Sequence, residues 1–137
     1  MDDQELLRYS KQIMLPQIDV EGQQKIIDST ILIIGMGGLG SPTALYLAAA
    51  GVGHIMIADF DQVELSNLQR QIIHRTSDIG DDKVNSAKAK LLDLNPNIKV
   101  TIVNEILHTD NLSSLIKDVD IVLDGTDNFE SRFEINK

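Results

Sequence analysis

Three features of this 137-residue chain predict an α/β fold built on a doubly wound, mainly parallel sheet. Short apolar runs alternate with helical patterns, the signature of strands joined by right-handed crossovers. Ile31-Leu32-Ile33-Ile34 is an unbroken apolar run, as suits a strand buried on both faces. Gly35-Met36-Gly37-Gly38-Leu39-Gly40 joins that run to a helical pattern ending at Ala50-Gly51.

The elements follow in order. Leu6, Leu7, Ile13 and Met14 recur at helical spacing from Gln4 to about Met14, and Pro16 ends that helix. A second helix is expected over Val20–Ile27, with Asp19 as its N-cap. Thr30–Ile34 is the first strand. The next helix runs from about Leu39 to Ala50, where Ala44, Ala48, Ala49 and Ala50 permit close packing on the sheet and Gly51 is a natural C-cap. His54–Ala58 is the second strand, ending at Asp59. After a polar loop, Leu68–His74 is expected to form a short helix. Lys83–Leu94 is a longer one, with Asp81 and Asp82 placed where the helix dipole favours negative charge. Asn95-Pro96-Asn97 stops it. Lys99–Asn104 is the third strand, Asp110 caps a short helix to Ile116, Asp120–Asp124 is the fourth strand, and Phe129–Lys137 starts another helix.

Composition narrows the function classes. The hydrophobic fraction of 42% and charged fraction of 24% suit one globular domain with a real core. A net charge of −9 argues against binding nucleic acid or an anionic membrane, both of which demand a basic face. There is no cysteine, hence no disulfide, thiolate zinc site or thiol nucleophile in these residues. Met1-Asp2-Asp3-Gln4-Glu5 lacks the basic start of a secretory signal, and no apolar run approaches a membrane span, so a cytoplasmic location is expected. Residues 1–28 read as an N-terminal helical segment and 29–137 as the sheet-bearing region. A four-stranded sheet of this kind leaves a long edge exposed, which reads as the incomplete half of a larger domain.

Ligands of open α/β sheets sit beyond the carboxyl ends of the strands. Three such ends are polar here: Gly35–Gly40, Asp59, and Asp127-Asn128, and they are expected to share one crevice. The glycines give a tight turn and let the backbone approach a phosphate at a helix N-terminus. Asp59 lies 24 residues after Gly35, the spacing of a carboxylate that binds ribose hydroxyls. Arg70 and Lys83 are cations suited to a triphosphate. Lys83 opposes the dipole at its helix start, which calls for a compensating anion. Asn67 and Gln71 either hold phosphate or cap the local turn. Asp127 is the best Mg²⁺ ligand, since that ion commonly takes one or two carboxylates plus substrate phosphates. His54, His74 and His108 show no zinc-like spacing and read as surface or internally satisfied histidines.

Together these motifs resemble the sulfur-carrier adenylyltransferases of thiamine and molybdopterin synthesis (the ThiF/MoeB type), relatives of ubiquitin-activating enzymes. The resemblance spans Arg8-Tyr9-Ser10-Lys11-Gln12-Ile13, the glycine loop, Ala50-Gly51-Val52-Gly53, Asp59-Phe60-Asp61, Leu65-Ser66-Asn67-Leu68-Gln69-Arg70-Gln71, Lys83 and Asp124-Gly125-Thr126-Asp127-Asn128. Leu45-Tyr46-Leu47 after Gly40-Ser41-Pro42 is closer to the thiamine branch. The resemblance implies a Rossmann-like ATP-binding fold and adenylation of a ubiquitin-like carrier protein at its C-terminal Gly-Gly carboxylate. It places nucleotide contacts at Gly35, Gly37, Gly38, Gly40, Asp59, Asp61, Ser66, Asn67, Leu68, Gln69, Arg70, Lys83, Asp127 and Asn128. Arg70, Lys83 and Asp127 take the catalytic roles, Asp127 as the Mg²⁺ ligand.

Two departures stand out. The family usually carries arginine where this chain has Lys11, a side chain that reaches the partner's triphosphate across a homodimer. The family's later half, with its cysteine zinc site and most of its carrier-binding surface, has no counterpart here, so no zinc is expected. Two other readings remain open. A nicotinamide-dependent oxidoreductase explains Gly35–Gly40 and Asp59 but leaves Asn67–Arg70, Lys83 and Asp127 without a task. A non-catalytic carrier-binding module has no need of Arg70 or Asp127.

Overall fold

A computed structural model describes residues 1–36, 40–69, 71–103 and 113–124. Four parallel strands form the sheet: β1 (Thr30–Ile34), β2 (His54–Ala58), β3 (Lys99–Val103) and β4 (Ile121–Asp124), in the order β3-β2-β1-β4. Helix α4 (Gly40–Ala50) connects β1 to β2, and α5 (Lys83–Leu94) precedes β3. The chain then crosses to the far side of β1 to add β4. Strand order therefore reverses at β1, which makes its carboxyl end the switch point of the sheet.

The run Ile31–Ile34 is apolar throughout because β1 has strands on both edges and a core on both faces. Ile31 and Ile33 join Ile55, Ile57 and Val100 beneath Ala44, Ala48, Val84, Ala87 and Leu91 of the two helices. Leu32 and Ile34 point the other way, with Ala58, towards Leu115 and Val119. Ala44 and Ala48 let α4 settle close to the sheet, whereas Ala49, expected to do the same, is exposed and Ala50 is half-buried.

Three N-terminal helices pack on this layer: α1 (Asp3–Arg8), α2 (Ser10–Ile13) and α3 (Asp19–Ile27). The single helix expected from Gln4 to Met14 is in fact two, broken at Tyr9. Tyr9 is 2% exposed, and its hydroxyl accepts a 2.8 Å bond from Asn95 Nδ2, which also donates to the Ala48 carbonyl. Driving this ring into the core outweighs helix continuity. Gln12 and Gln23 both donate to the Ala50 carbonyl at 3.0 Å, satisfying the C-terminal end of α4. Asp19 is not an N-cap but the first residue of α3, at φ 53°, with its carboxylate bonded to the Val20 N–H.

Other boundaries shift less. Asp120 precedes β4 rather than starting it, and its carboxylate accepts the Thr30 N–H at 2.8 Å. Leu68–His74 is not helical. A 3₁₀ turn occupies Leu65–Asn67 instead, and turns follow it. Asn104, Asp110 and the expected helix Phe129–Lys137 lie outside the described residues. Among the described residues no helix is long and apolar enough to cross a membrane.

Gly51 closes α4 at φ 95°, and a Cβ there would lie 2.6 Å from the Tyr9 ring. A left-handed non-glycine residue costs about 1–2 kcal/mol before any clash. Gly51→Ala is therefore expected to destabilise the fold by at least about 2 kcal/mol. Urea unfolding should show the midpoint fall with an unchanged slope.

Candidate nucleotide site

Strand register sets the edge on which the site is built. Ile34 pairs with Ala58 on one side and Asp124 on the other, so β1, β2 and β4 end level with one another. Gly35 follows β1 at φ 91°, and its N–H bonds back to the Ala58 carbonyl at 2.8 Å. A Cβ on Gly40 would collide with the Gly35 carbonyl, so glycine is what allows α4 to start this close to the strand. Gly37, Gly38 and Leu39 lie outside the described residues.

Asp59 ends β2 with both carboxylate oxygens engaged. Oδ2 accepts the Met36 N–H at 2.7 Å, and Oδ1 accepts the Asp61 N–H at 2.8 Å. The carboxylate predicted to hold ribose thus first ties the glycine loop to the neighbouring strand. A carboxylate offers roughly four acceptor positions, so two bonds leave capacity for hydroxyl donors.

Met36 is also held at its carbonyl. His74 Nε2 lies 3.0 Å away and Ser41 Oγ 3.2 Å away. His74 Nδ1 in turn lies 2.8 Å from Ser86 Oγ on α5. His74 is internally satisfied, as its lack of zinc-like spacing suggested. Its partner in the glycine loop is 38 residues away along the chain, beyond the reach of any local motif.

Lys83 begins α5 and is only 7% exposed. Loop residues after β2 bring it to the site: Gln62 bridges Asp82, Val63 N–H bonds the Asp81 carbonyl, and Lys83 N–H bonds the Asp61 carbonyl. Lys83 Nζ pairs with the Asp61 carboxylate at 3.8 Å, a long contact to a side chain that is 59% exposed. Such a pair is weak. A buried ammonium at a helix N-terminus, opposed by the dipole and so loosely paired, leaves positive potential for an incoming anion.

Asn67 turns out to serve the local turn. Its Oδ1 accepts the Glu64 N–H at 3.3 Å, while the Glu64 side chain accepts the Asn67 N–H. That cap uses the oxygen, so Nδ2 is the group oriented to donate. Ser66 and Gln69 are exposed and Leu68 half-buried along the same stretch. Gln71 is buried, and its Oε1 has no hydrogen-bond partner among the described residues.

The structure thus gathers Gly35, Gly40, Asp59, Asp61 and Lys83, and adds Met36, Ser41 and His74. Arg70, Asp127 and Asn128 lie outside the described residues. Lys11 is exposed on α2, beside the Gln12 that bonds the C-terminal end of α4. The glycine loop is at the other end of that 11-residue helix, about 16 Å away. Lys11 therefore stands near the opposite end of α4 from its own chain's glycine turn. Among the described residues no group of three or more His, Asp or Glu side chains converges in the manner of a metal site. A Mg²⁺ ion held by one carboxylate and substrate phosphates needs no such cluster.

A glycine loop, a strand-end carboxylate and a buried lysine on one edge describe many nucleotide sites. The sequence match is what decides among them: residues 9–137 match the ThiF family. The chain belongs to that family. It is 50% identical over 99% of its length to the sulfur carrier protein ThiS adenylyltransferase of Escherichia coli K12, covering 54% of that protein. It is 48% identical, again over 99% of its length, to the molybdopterin-synthase adenylyltransferase of the same organism, covering 55%. Among solved structures, the E. coli tRNA N6-threonylcarbamoyladenosine dehydratase TcdA superposes with a TM-score of 0.92 at 26% identity, over 98% of this chain and 56% of that one. A second TcdA structure, in complex with ATP, gives a TM-score of 0.86 at 28% identity over 93% and 52%. The chain spans about half the length of these ThiF-family relatives.

Burial holds His74 below its ordinary value of 6.5; Lys83 adds to the shift, while the Met36 carbonyl and the Asp78 and Asp59 charges oppose it. Burial, then Lys99, lowers His54 in the same direction. In both cases the unfolded chain binds the extra proton first on acidification. Stability from these groups is complete above pH 6.5 and is lost as pH falls from there through the lowered native values. Denaturant midpoints should fall between pH 7.5 and 5, and His74→Gln should flatten part of that slope.

Proposed function

We propose that this chain carries the ATP-binding part of an enzyme that adenylates the C-terminal Gly-Gly carboxylate of a ubiquitin-like sulfur-carrier protein and releases pyrophosphate. The observation that carries this reading is Lys83: a buried cation at a helix start, loosely paired, on the edge where the glycine loop and Asp59 meet. Nicotinamide chemistry gives that cation no task. The names of the relatives support the same reaction class, and the ATP complex of TcdA supports the same nucleotide.

The chemistry follows from charge. The carrier carboxylate is already an anionic nucleophile, so no general base is needed. It attacks the α-phosphorus, and the bond to the pyrophosphate oxygen breaks. Gly35–Gly40 receives phosphate at the start of α4, and Asp59 accepts from ribose on its remaining lone pairs. Lys83 and Arg70 neutralise charge on the departing pyrophosphate. Asp127 would hold a Mg²⁺ ion, with Asn128 next to it in sequence, and the ion would supply further positive charge to the phosphates. Ser66–Gln69 lines the nucleotide, with Asn67 Nδ2 as its donor. The thiamine branch is the assignment we favour, on Leu45-Tyr46-Leu47, and a cytoplasmic setting accompanies it.

Residues 1–28 supply a homodimer contact in this reading, and 29–137 the nucleotide region. Leu7 and Met14, on either side of Lys11, are 75% and 76% exposed, and Leu15 and Val20 are about half exposed. So much uncovered apolar surface on the N-terminal helices suits a partner. Lys11, near the opposite end of α4 from its own glycine loop, then serves the neighbouring site.

Calorimetric titration is expected to show MgATP binding more tightly than NAD; the reverse order overturns the assignment. Each of Lys11→Ala and Asp127→Ala should abolish most carrier-dependent ATP–pyrophosphate exchange in the full-length protein. Mixing the two variants should restore part of it, because one site in each heterodimer then has an intact Asp127 and receives an intact Lys11. No recovery in verified heterodimers would exclude a shared site.

A further inference from the structure

We infer that His74 is a positioning residue for nucleotide binding, fixing the glycine loop at a set distance from Lys83. The inference rests on the ATP reading above and adds a residue that the sequence motifs do not assign.

The argument starts from the Met36 peptide. Its N–H is held by Asp59 at the end of β2, so that side of the loop is registered to the sheet. Its carbonyl is held by His74 Nε2, and the other ring nitrogen meets Ser86 Oγ. Ser86 stands three residues after Lys83 on α5, one turn along the same helix. The imidazole is thus a strut of fixed length between the loop and the helix that presents the cation. Met36, His74 and Ser86 are all at most 5% exposed, so water does not compete for these bonds.

Hydrogen-bond polarity fixes the tautomer. A carbonyl oxygen only accepts, so Nε2 carries the proton and donates to Met36. Nδ1 of the neutral ring then accepts from the Ser86 hydroxyl. Asp78 also lies within hydrogen-bond reach of the Ser86 hydroxyl, but it already accepts the Arg75 N–H at 2.7 Å and pairs with Lys90 at 3.0 Å, whereas Nδ1 has Ser86 as its partner. Ser41 gives the Met36 carbonyl a second, longer bond from within α4, but it does not reach α5. His74 thus links the Met36 carbonyl to the body of α5, beside the path that runs from the Met36 N–H through Asp59 and Asp61 to the Lys83 N–H.

The test uses two amides that each keep half of the imidazole. Glutamine places a donor near the Nε2 position and can keep the Met36 bond. Asparagine reaches only the Nδ1 position and loses it. In the full chain each variant cuts the strut at one end, so His74→Asn and His74→Gln are each expected to weaken MgATP binding about tenfold, the size of one lost buried hydrogen bond. Asn95→Ala breaks buried bonds at the far end of α4 and should lower thermal stability without moving the MgATP affinity. Parent-like affinity in either His74→Asn or His74→Gln overturns the inference. So does an Asn95→Ala protein weakened to the same extent, which would reduce the effect to general destabilisation. Parent protein that fails to bind MgATP overturns the ATP reading itself. Nitrogen-15 NMR of the parent at pH 8 gives a readout free of any variant: a proton on Nε2 is expected, and one on Nδ1 refutes the strut.

Discussion

Everything at the carboxyl edge of the sheet is placed by the peptide of Met36. Asp59 takes its N–H at 2.7 Å; His74 and Ser41 approach its carbonyl at 3.0 and 3.2 Å. The Met36 side chain is fully buried in the main core cluster. A glycine-rich turn has little intrinsic preference for any conformation, and glycine carries the largest entropy cost of ordering. Fixing the one non-glycine residue near its start is an economical way to set the entry of the loop. The charged group spent on this, Asp59, is the one whose spacing suggested ribose binding, and a carboxylate has lone pairs enough for both duties.

The central layer was legible in the sequence because its rules are local. Thr30–Ile34, His54–Ala58 and Lys83–Leu94 fall where their apolar periods and flanking polar residues put them. Expectations failed where a side chain answers to something distant. Tyr9 breaks the first helix because its hydroxyl meets Asn95, 86 residues away. Leu68–His74 has the composition of a helix, yet Ile73 is committed to the core and His74 to the glycine loop. A regular helix would not deliver both while its start is capped by Glu64 and Asn67. The site followed the same division. Gly35, Gly40, Asp59 and Lys83 were visible from motif and spacing, whereas Ser41, His74 and Ser86 were not, since nothing in a serine or histidine codon announces a contact across the fold.

Charge shows why global composition leaves a small anionic ligand open at the proposed site. A net charge of −9 predicts repulsion of a polyanion. The field near the proposed site is set instead by groups within a few ångströms: the backbone N–H groups at the start of α4 and the Lys83 ammonium beneath the loop. Water screens the distant carboxylates over about 8–10 Å at physiological salt, and much less is screened inside a half-buried crevice. Lys83 is the clearer case, because its partner Asp61 is exposed and 3.8 Å away, whereas the buried Lys90–Asp78 pair closes to 3.0 Å. One lysine is committed to the fold, and the other keeps charge to offer.

The two ends of α4 finally explain how an N-terminal segment bears on a site it does not touch. At one end the helix starts against Gly35, close enough that no side chain fits at Gly40. At the other, its last carbonyls are taken by Gln12, Gln23 and Asn95, and Tyr9 lies against Gly51. The helix is therefore clamped along its axis between the sheet edge and helices α1–α3. What the N-terminal helices contribute within one chain is the stability of the helix that follows the glycine turn.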